Sequence, residues 1–228
     1  LASARDIRVV PITGQQSAAA IRRWHYSGKA YSKSRLHLGV TLGGRLLGAM
    51  AFGPAIDTRK TLTLVEGTSW DGYLELNRLA FSDELPRNSE SRAIAYALRE
   101  IARRYPHVQW VVSYSDATQC GDGTIYRAAG FWLTSIRKNS TLWRAPDGAV
   151  VSNVGVASSP QLQNRYAIDG TRRSMRAAGF EPLAGYQLRY IKPLHDGVRE
   201  RLTVPIIPYD QIPDEVRMYR GQRPSARA

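Results

Sequence analysis

Apolar positions recur along this chain in two rhythms, and the switches between them mark out its elements. Residues 7–12, IRVVPI, form a short apolar run closed by Pro11 and Gly14, which predicts a first strand. QQSAAAIRRWHY follows, with Ala19, Ile21 and Trp24 among its apolar positions, and predicts a helix. Over residues 36–53 two apolar runs flank Gly43-Gly44, the strongest hairpin signal in the chain, and Pro54 ends the second run. YLELNRLAF, residues 73–81, reads as a strand with Asn77 and Arg78 in its middle. Between Pro86 and Pro106, Ile94, Leu98, Ile101 and Tyr105 fall at i, i+4, i+7 and i+11. That spacing predicts a long helix, capped by Asn88 or Ser89 and with Glu90 in its first turn.

Residues 108–116, VQWVVSYSD, form a β-branched and aromatic strand, and residues 122–131 a short helix closed by Gly130. WLTSIRKN and TLWRAPDGAVVSNV read as strands, the second stretch turning at Asp147-Gly148. The polar segment 158–182 predicts two short helices, one of which ends in RAAGF, as residues 127–131 do. YQLRYIKPL is a last strand, and the proline- and charge-rich segment beyond Asp196 predicts an extended arm that docks or stays mobile. The order of elements predicts an α/β fold with one mixed twisted sheet flanked by helices. Residues 1–195 would form one domain, with an insertion at about 145–183 before the last strand, and residues 196–228 the arm.

Charge narrows the choice of partner. Lysines and arginines number 32 against 19 acids, a formal net charge of +13, and only five of the cations are lysines. Planar guanidinium forks suit phosphate, and the excess is spread along the chain rather than gathered in a tail. Both point to a folded positive surface for an anionic polymer, nucleic acid first. The densest stretch is RWHYSGKAYSKSRLHLGV, residues 23–40, with Arg23, Lys29, Lys33, Arg35 and two histidines among aromatics. The alternative is a solvated basic loop. Cys120 stands alone, so the chain can build neither a disulfide nor a CxxC pair, and a reducing cytoplasm is expected. No apolar run is long enough to cross a bilayer, so no membrane partner is expected.

Three local patterns carry a resemblance. ELNRLAF followed by Arg87 and the long helix, VVSYSD, and YRAAGF (Tyr126 to Phe131) occur in the order of the GCN5-related N-acetyltransferase fold. A closer resemblance is to the Mom proteins of Mu-like bacteriophages. RWHYSGKA, LVEGTSW, ELNRLAF, LPRNSESRAI and DATQCGDGTIYRAAGF together are similar to that family over most of the chain. The resemblance implies an enzyme that places a carbamoylmethyl group on the exocyclic amine of adenine in DNA and so blocks host restriction. The resemblance to the acetyltransferase fold implies Tyr126 as general acid, and that to the phage family a bacterial host's cytoplasm as its setting.

The residues suggest how the remaining work is divided. Asp116, at the end of a strand, is the first candidate base, its alternative being a cap for the turn that follows. His25 and Tyr26 would hold or stack on a base extruded from the duplex. Arg78 would orient Asp116 or bind the donor, or else pair with Glu66 or Glu75. Ser27, Asn77, Ser113 and Ser115 are substrate-binding candidates. Lys29, Lys33, Arg35, Arg172 and Arg173 would meet double-stranded DNA. Arg87, Asn88, Ser89 and Ser91 would meet the acyl donor.

That donor loop has Asn88 and Glu90 where a pyrophosphate-binding turn would have glycines. A coenzyme A thioester and a glycyl-type donor such as a charged tRNA therefore both remain open. Cys120 as acyl acceptor and iron held by His25, Tyr26 and Asp116 are weaker candidates; the sequence itself supports no metal site. The rival functions are a conventional N-acetyltransferase using acetyl-coenzyme A and a non-catalytic DNA-binding module.

Overall fold

The computed structural model describes residues 2–216. Strands β1 (Arg8–Pro11), β2 (Leu36–Leu42), β3 (Arg45–Gly53), β4 (Tyr73–Phe81), β5 (Trp110–Asp116) and β6 (Trp132–Lys138) run in chain order. The short strands β7 (Leu142–Arg144), β8 (Val150–Ser152) and β9 (Glu181–Pro182) follow, and β10 (Tyr186–Pro193) is last. Seven of them form one mixed sheet in the order β1-β2-β3-β4-β5-β10-β6, antiparallel throughout except at β4–β5. That parallel pair holds register only from Tyr73↔Trp110 to Glu75↔Val112, after which the strands part. The parting coincides with a bulge. Phe52 faces Leu76 and Ala51 faces Arg78, so Asn77 is the extra residue in β4.

Helices cover both faces. α1 (Gly14–Trp24) begins with a capping box of Thr13 and Gln16 and lays Ile21 against Ala51 and Ala80. α2 is short (Thr58–Leu62), capped by Asp57. α3 (Ser89–Arg104) buries Ala93, Ile94, Ala97, Leu98 and Ile101 against Phe52, Leu76 and Val111 on the opposite face. Each large apolar side chain removed from water there contributes about 1.5–3 kcal/mol. α4 (Thr124–Ala128) joins it on that face.

Between β6 and β10 the chain builds a separate small unit. β8-β7-β9 form a three-stranded sheet, and α5 (Asn153–Ala157), α6 (Pro160–Tyr166) and α7 (Arg172–Ala177) pack on it. Its own core is Trp143, Ala145, Val156, Ile168, Met175 and Phe180. Asn139 clasps the neck: its Nδ2 donates to the carbonyls of Leu142 (3.0 Å) and Leu183 (2.8 Å), and its Oδ1 accepts from Thr141 and Leu142 amides.

The elements match the sequence expectations with instructive exceptions. α3 has Asn88 at its cap position, but the side chain makes no capping bond and its backbone is left-handed (φ 69°). The Ser89 hydroxyl instead donates to the Pro86 carbonyl at 2.6 Å. The small unit runs from β7 to β9, and α5 takes over the last two residues of the stretch expected as strand, because the Ser152 hydroxyl accepts the Gly155 amide and nucleates a turn. The two RAAGF ends do share one geometry. Gly130 and Gly179 are both left-handed, and the amides of Phe131 and Phe180 donate to carbonyls five residues back.

The described part of the expected arm, residues 196–216, is docked. Val198 and Ile212 are buried, Leu202 bridges to Val65, and the Ile207 amide donates to Leu133. Residues 217–228 of that arm lie outside the described residues. No helix among the described residues is long and apolar enough to cross a membrane.

Candidate active site

A cleft of about 1210 Å³ opens where β4 and β5 part. Consecutive residues of the β4 bulge hold the basic loop over it. Asn77 Oδ1 accepts from the Ser34 hydroxyl at 2.9 Å, its Nδ2 donates to the Pro54 carbonyl at 3.2 Å, and Arg78 Nε donates to the Lys29 carbonyl at 2.8 Å. Gly53 makes the close approach feasible, since a Cβ there would lie 2.8 Å from Ser34 Cα and 2.9 Å from the Lys33 carbonyl. Both ends of the loop are thereby pinned, with Lys29, Lys33 and Arg35 left exposed. Arg78 serves as a loop anchor: among the described residues it forms no ion pair with Glu66 or Glu75, and no hydrogen bond to Asp116 is seen.

His25 follows the end of α1 and stacks on Tyr26, ring centroids 4.3 Å apart. Its Nδ1 accepts the Ser27 amide at 3.1 Å, which leaves the hydrogen of the neutral ring on Nε2. Burial, helped by the charge of Arg78, lowers its pKa to about 4. The imidazole is therefore neutral in the physiological range. A proton taken up by the unfolded chain near pH 6.5 is refused by the folded one, so stability falls as pH drops from about 6.5 towards 4. We expect the His25 ring resonances to titrate with a midpoint near 4 in a histidine NMR series. A midpoint near 6.5 would contradict this environment.

Asp116 reaches the cleft, but both of its oxygens are engaged: Oδ1 accepts from the Thr118 amide and Oδ2 from Gln119 Nε2, each at 3.1 Å. The turn-cap reading of this residue is therefore realised. The thiol of Cys120 points at the Asp116 carbonyl, 3.2 Å away, and burial together with the Asp116 charge pushes it up to about 11. A thiolate is disfavoured there, which weighs against a thioester on Cys120.

Tyr126 is buried on α4, between Phe131 and Tyr190. Burial pushes its phenol well above the ordinary range, with the neighbouring Ser113 hydroxyl offsetting part of that. Gly123, left-handed at φ 74°, starts this helix; a Cβ there would meet the Tyr190 ring at 2.6 Å.

The other predicted residues divide. Arg87 and Asn88 line the cleft beside Glu90. Asn88 adopts the left-handed backbone a glycine would favour, so the turn keeps its shape while carrying a side chain. Ser89 and Ser91 are committed to the Pro86 and Asn88 carbonyls. Ser27 bonds His25, Ser115 donates to the Gly121 carbonyl at 2.6 Å, and Ser113 is buried. These serines, with Asn77, build the framework around the cleft. Arg172 and Arg173 are exposed on α7 of the small unit.

No group of three or more His, Cys, Asp or Glu side chains suited to a metal occurs among the described residues. His25, Tyr26 and Asp116 all line the cleft, and the two Asp116 oxygens accept from Thr118 and Gln119.

Sequence reasoning passed over Glu75, Tyr114 and Arg189, which also line the cleft. The available signal was Glu75 itself, a carboxylate inside an apolar strand. It is buried, and burial raises its pKa against the opposing pull of the Asn77 side chain, Arg78 and the Ile56 amide.

The arrangement resembles known proteins at two levels. At 6% identity and a TM-score of 0.50, the spermidine/spermine N-acetyltransferase SpeG from Vibrio cholerae, solved in complex with manganese ions, aligns over 87% of this chain and 99% of its own. The ribosomal-protein-S18-alanine N-acetyltransferase from Escherichia coli aligns over 82% and 94% at 12% identity and a TM-score of 0.47. The first of these likenesses speaks for the acetyltransferase fold alone. In sequence, 128 residues are 41% identical to the methylcarbamoylase mom of Escherichia phage Mu, an overlap of 56% of this chain and 53% of that protein. The match thus spans about half the length of that relative. The Mom protein family itself matches residues 6–211, and the chain belongs to that family.

Proposed function

We propose that this chain is a DNA-modifying transferase that places a carbamoylmethyl group on the exocyclic amine of adenine in phage DNA, shielding it from host restriction. The observation that carries the reading is the cleft at the β4–β5 parting, which joins a buried tyrosine to a pinned, cation-bearing loop. Kinship with the phage Mu protein supports the chemistry. Lys29, Lys33 and Arg35 track duplex phosphates, with Arg172 and Arg173 holding flanking DNA, and His25 with Tyr26 meets the extruded base.

The donor is a glycyl ester, such as a charged tRNA. The adenine amine attacks the glycyl carbonyl, the ester C–O bond breaks, and the departing oxygen takes a proton from Tyr126. A thiolate leaves unaided, whereas an alkoxide needs that proton, and a phenol held protonated by burial suits the second case. Glu90 beside Arg87 and Asn88 would repel a pyrophosphate, which disfavours a coenzyme A thioester. The free glycyl amine then attacks the ring carbon bearing the new amide, closing a five-membered ring. Expulsion of the original nitrogen leaves N–CH2–CO–NH2 on the base, with that nitrogen now the carboxamide. Asp116, which lines this cleft, takes up the amine proton.

The test supplies purified protein and duplex DNA with tRNA charged with 13C,15N-glycine, followed by mass spectrometry of the nucleosides. A deoxyadenosine heavier by carbamoylmethyl, with two labelled carbons and the labelled nitrogen attached to the ring, is expected. Modified base without label would overturn the donor. An acetylated product appearing only with acetyl-coenzyme A would favour a conventional acetyltransferase.

A further inference from the structure

One cleft group has no role in that scheme, and its surroundings are unlike those of Asp116. Glu75 is only 7% exposed, yet it lines the cleft, and among the described residues it forms no salt bridge. The phenols of Tyr31 and Tyr114 lie within electrostatic reach of its carboxyl, as do Arg78 on the same strand and Tyr126 across the parting. These neighbours come from the basic loop, β4, β5 and α4. Tyr73 is fixed by stacking on Trp110 at 5.1 Å and by accepting the Ala55 amide. Tyr114 is 45% exposed and Ile56 is 72% exposed, and both line the same mouth. Exposed aromatic and apolar surface leading to a buried acid, with Lys60 and Arg189 at the rim, suits a planar polar ring tethered to phosphate.

We infer that Glu75 reads the Watson–Crick edge of the extruded adenine, its carboxyl contacting the exocyclic amine and ring nitrogen N1 together, with Tyr114 as a stacking wall. The inference rests on the DNA-adenine reading above and deepens it. One carboxyl oxygen accepts from the amine, and the other, carrying the proton, donates to N1. That neutral form is the one burial favours at Glu75. Glutamine offers the same acceptor and donor side by side. Glu75 and Tyr126 line the same cleft, so an amine held at Glu75 shares it with the proton donor. Glu75 is thus assigned to positioning and specificity.

The test measures binding of short duplexes carrying one adenine, purine or 1-deazaadenine opposite an abasic site, where extrusion costs least. Fluorescence anisotropy at fixed salt reads the affinity. The protein is expected to prefer adenine over both analogues by about tenfold or more, the size of a bidentate contact to a base. Glu75→Gln should keep that preference within a few-fold, and Glu75→Leu should bind all three duplexes alike. Tyr114→Ala, a change at an exposed site, should weaken all three duplexes alike and covers the case in which the leucine variant fails to fold. Preference surviving in Glu75→Leu, or Tyr114→Ala binding all three duplexes like the parent, would overturn the pocket and leave the DNA reading intact. A parent protein with no affinity for any duplex would overturn both.

Discussion

Tyr126→Phe is expected to cut the single-turnover rate of base modification by about a hundredfold to ten-thousandfold, the usual worth of a positioned proton donor. The ring sits between Phe131 at 5.5 Å and Tyr190 at 5.3 Å, and phenylalanine keeps both contacts, so the melting temperature should move little. The loss must then come from the hydroxyl. A donor with a thioester leaving group would be affected far less, because sulfur departs without a proton. Quenched-flow samples analysed by nucleoside mass spectrometry give the rate. An unchanged rate with the ester donor would remove Tyr126 from the chemistry.

Trp143→Ala should instead dismantle the small unit and leave the large sheet standing. Trp143 is 1% exposed, at the centre of a core of six buried residues, with the Arg176 guanidinium 5.9 Å above its ring. Truncating such a side chain costs about 3–5 kcal/mol. A core of this size has little reserve against that loss. Hydrogen exchange is expected to show protection vanishing across residues 142–182 while β1–β5 and α3 stay protected. Loss of protection throughout the chain in one step would mean that the two cores fold as one.

Much of this architecture was legible because local chemistry and tertiary packing agree. The Gly43-Gly44 hairpin, the amphipathic α3 and the repeated glycine-closed helix ends each carry their signal within a few residues. α2 escaped notice because five residues in a polar stretch give no measurable period, and its cap, Asp57, is ordinary in a loop. Whether the arm docks was left open by the sequence because Val198 and Ile212 are isolated apolar residues whose partners lie far away in the chain.

The site was harder to read than the fold. Tyr126, His25, Tyr26, Arg87 and Asp116 were found by residue type and pattern, and the fold does bring them to one cleft. What pattern could not reveal is commitment. Whether a serine or a carboxylate faces the cleft or closes a turn depends on a bond across a loop, as Ser115 to Gly121 and Asp116 to Thr118 show. Arg78 illustrates the same point, since the partner that justifies its place in β4 is the Lys29 carbonyl, not a charge.

The neck of the small unit has a consequence for how such a protein could be built or trimmed. Lys138 faces Tyr186 across the β6–β10 ladder, and the Asn139 amide donates to the Gly185 carbonyl at 2.8 Å. Removing residues 140–184 and joining the ends would leave Asn-Gly between two paired antiparallel strands, the dipeptide a tight two-residue hairpin prefers. The whole appendage thus occupies the position of a single turn. A shortened relative needs no new junction, and a lengthened one needs only that the turn be opened and a self-sufficient core threaded into it.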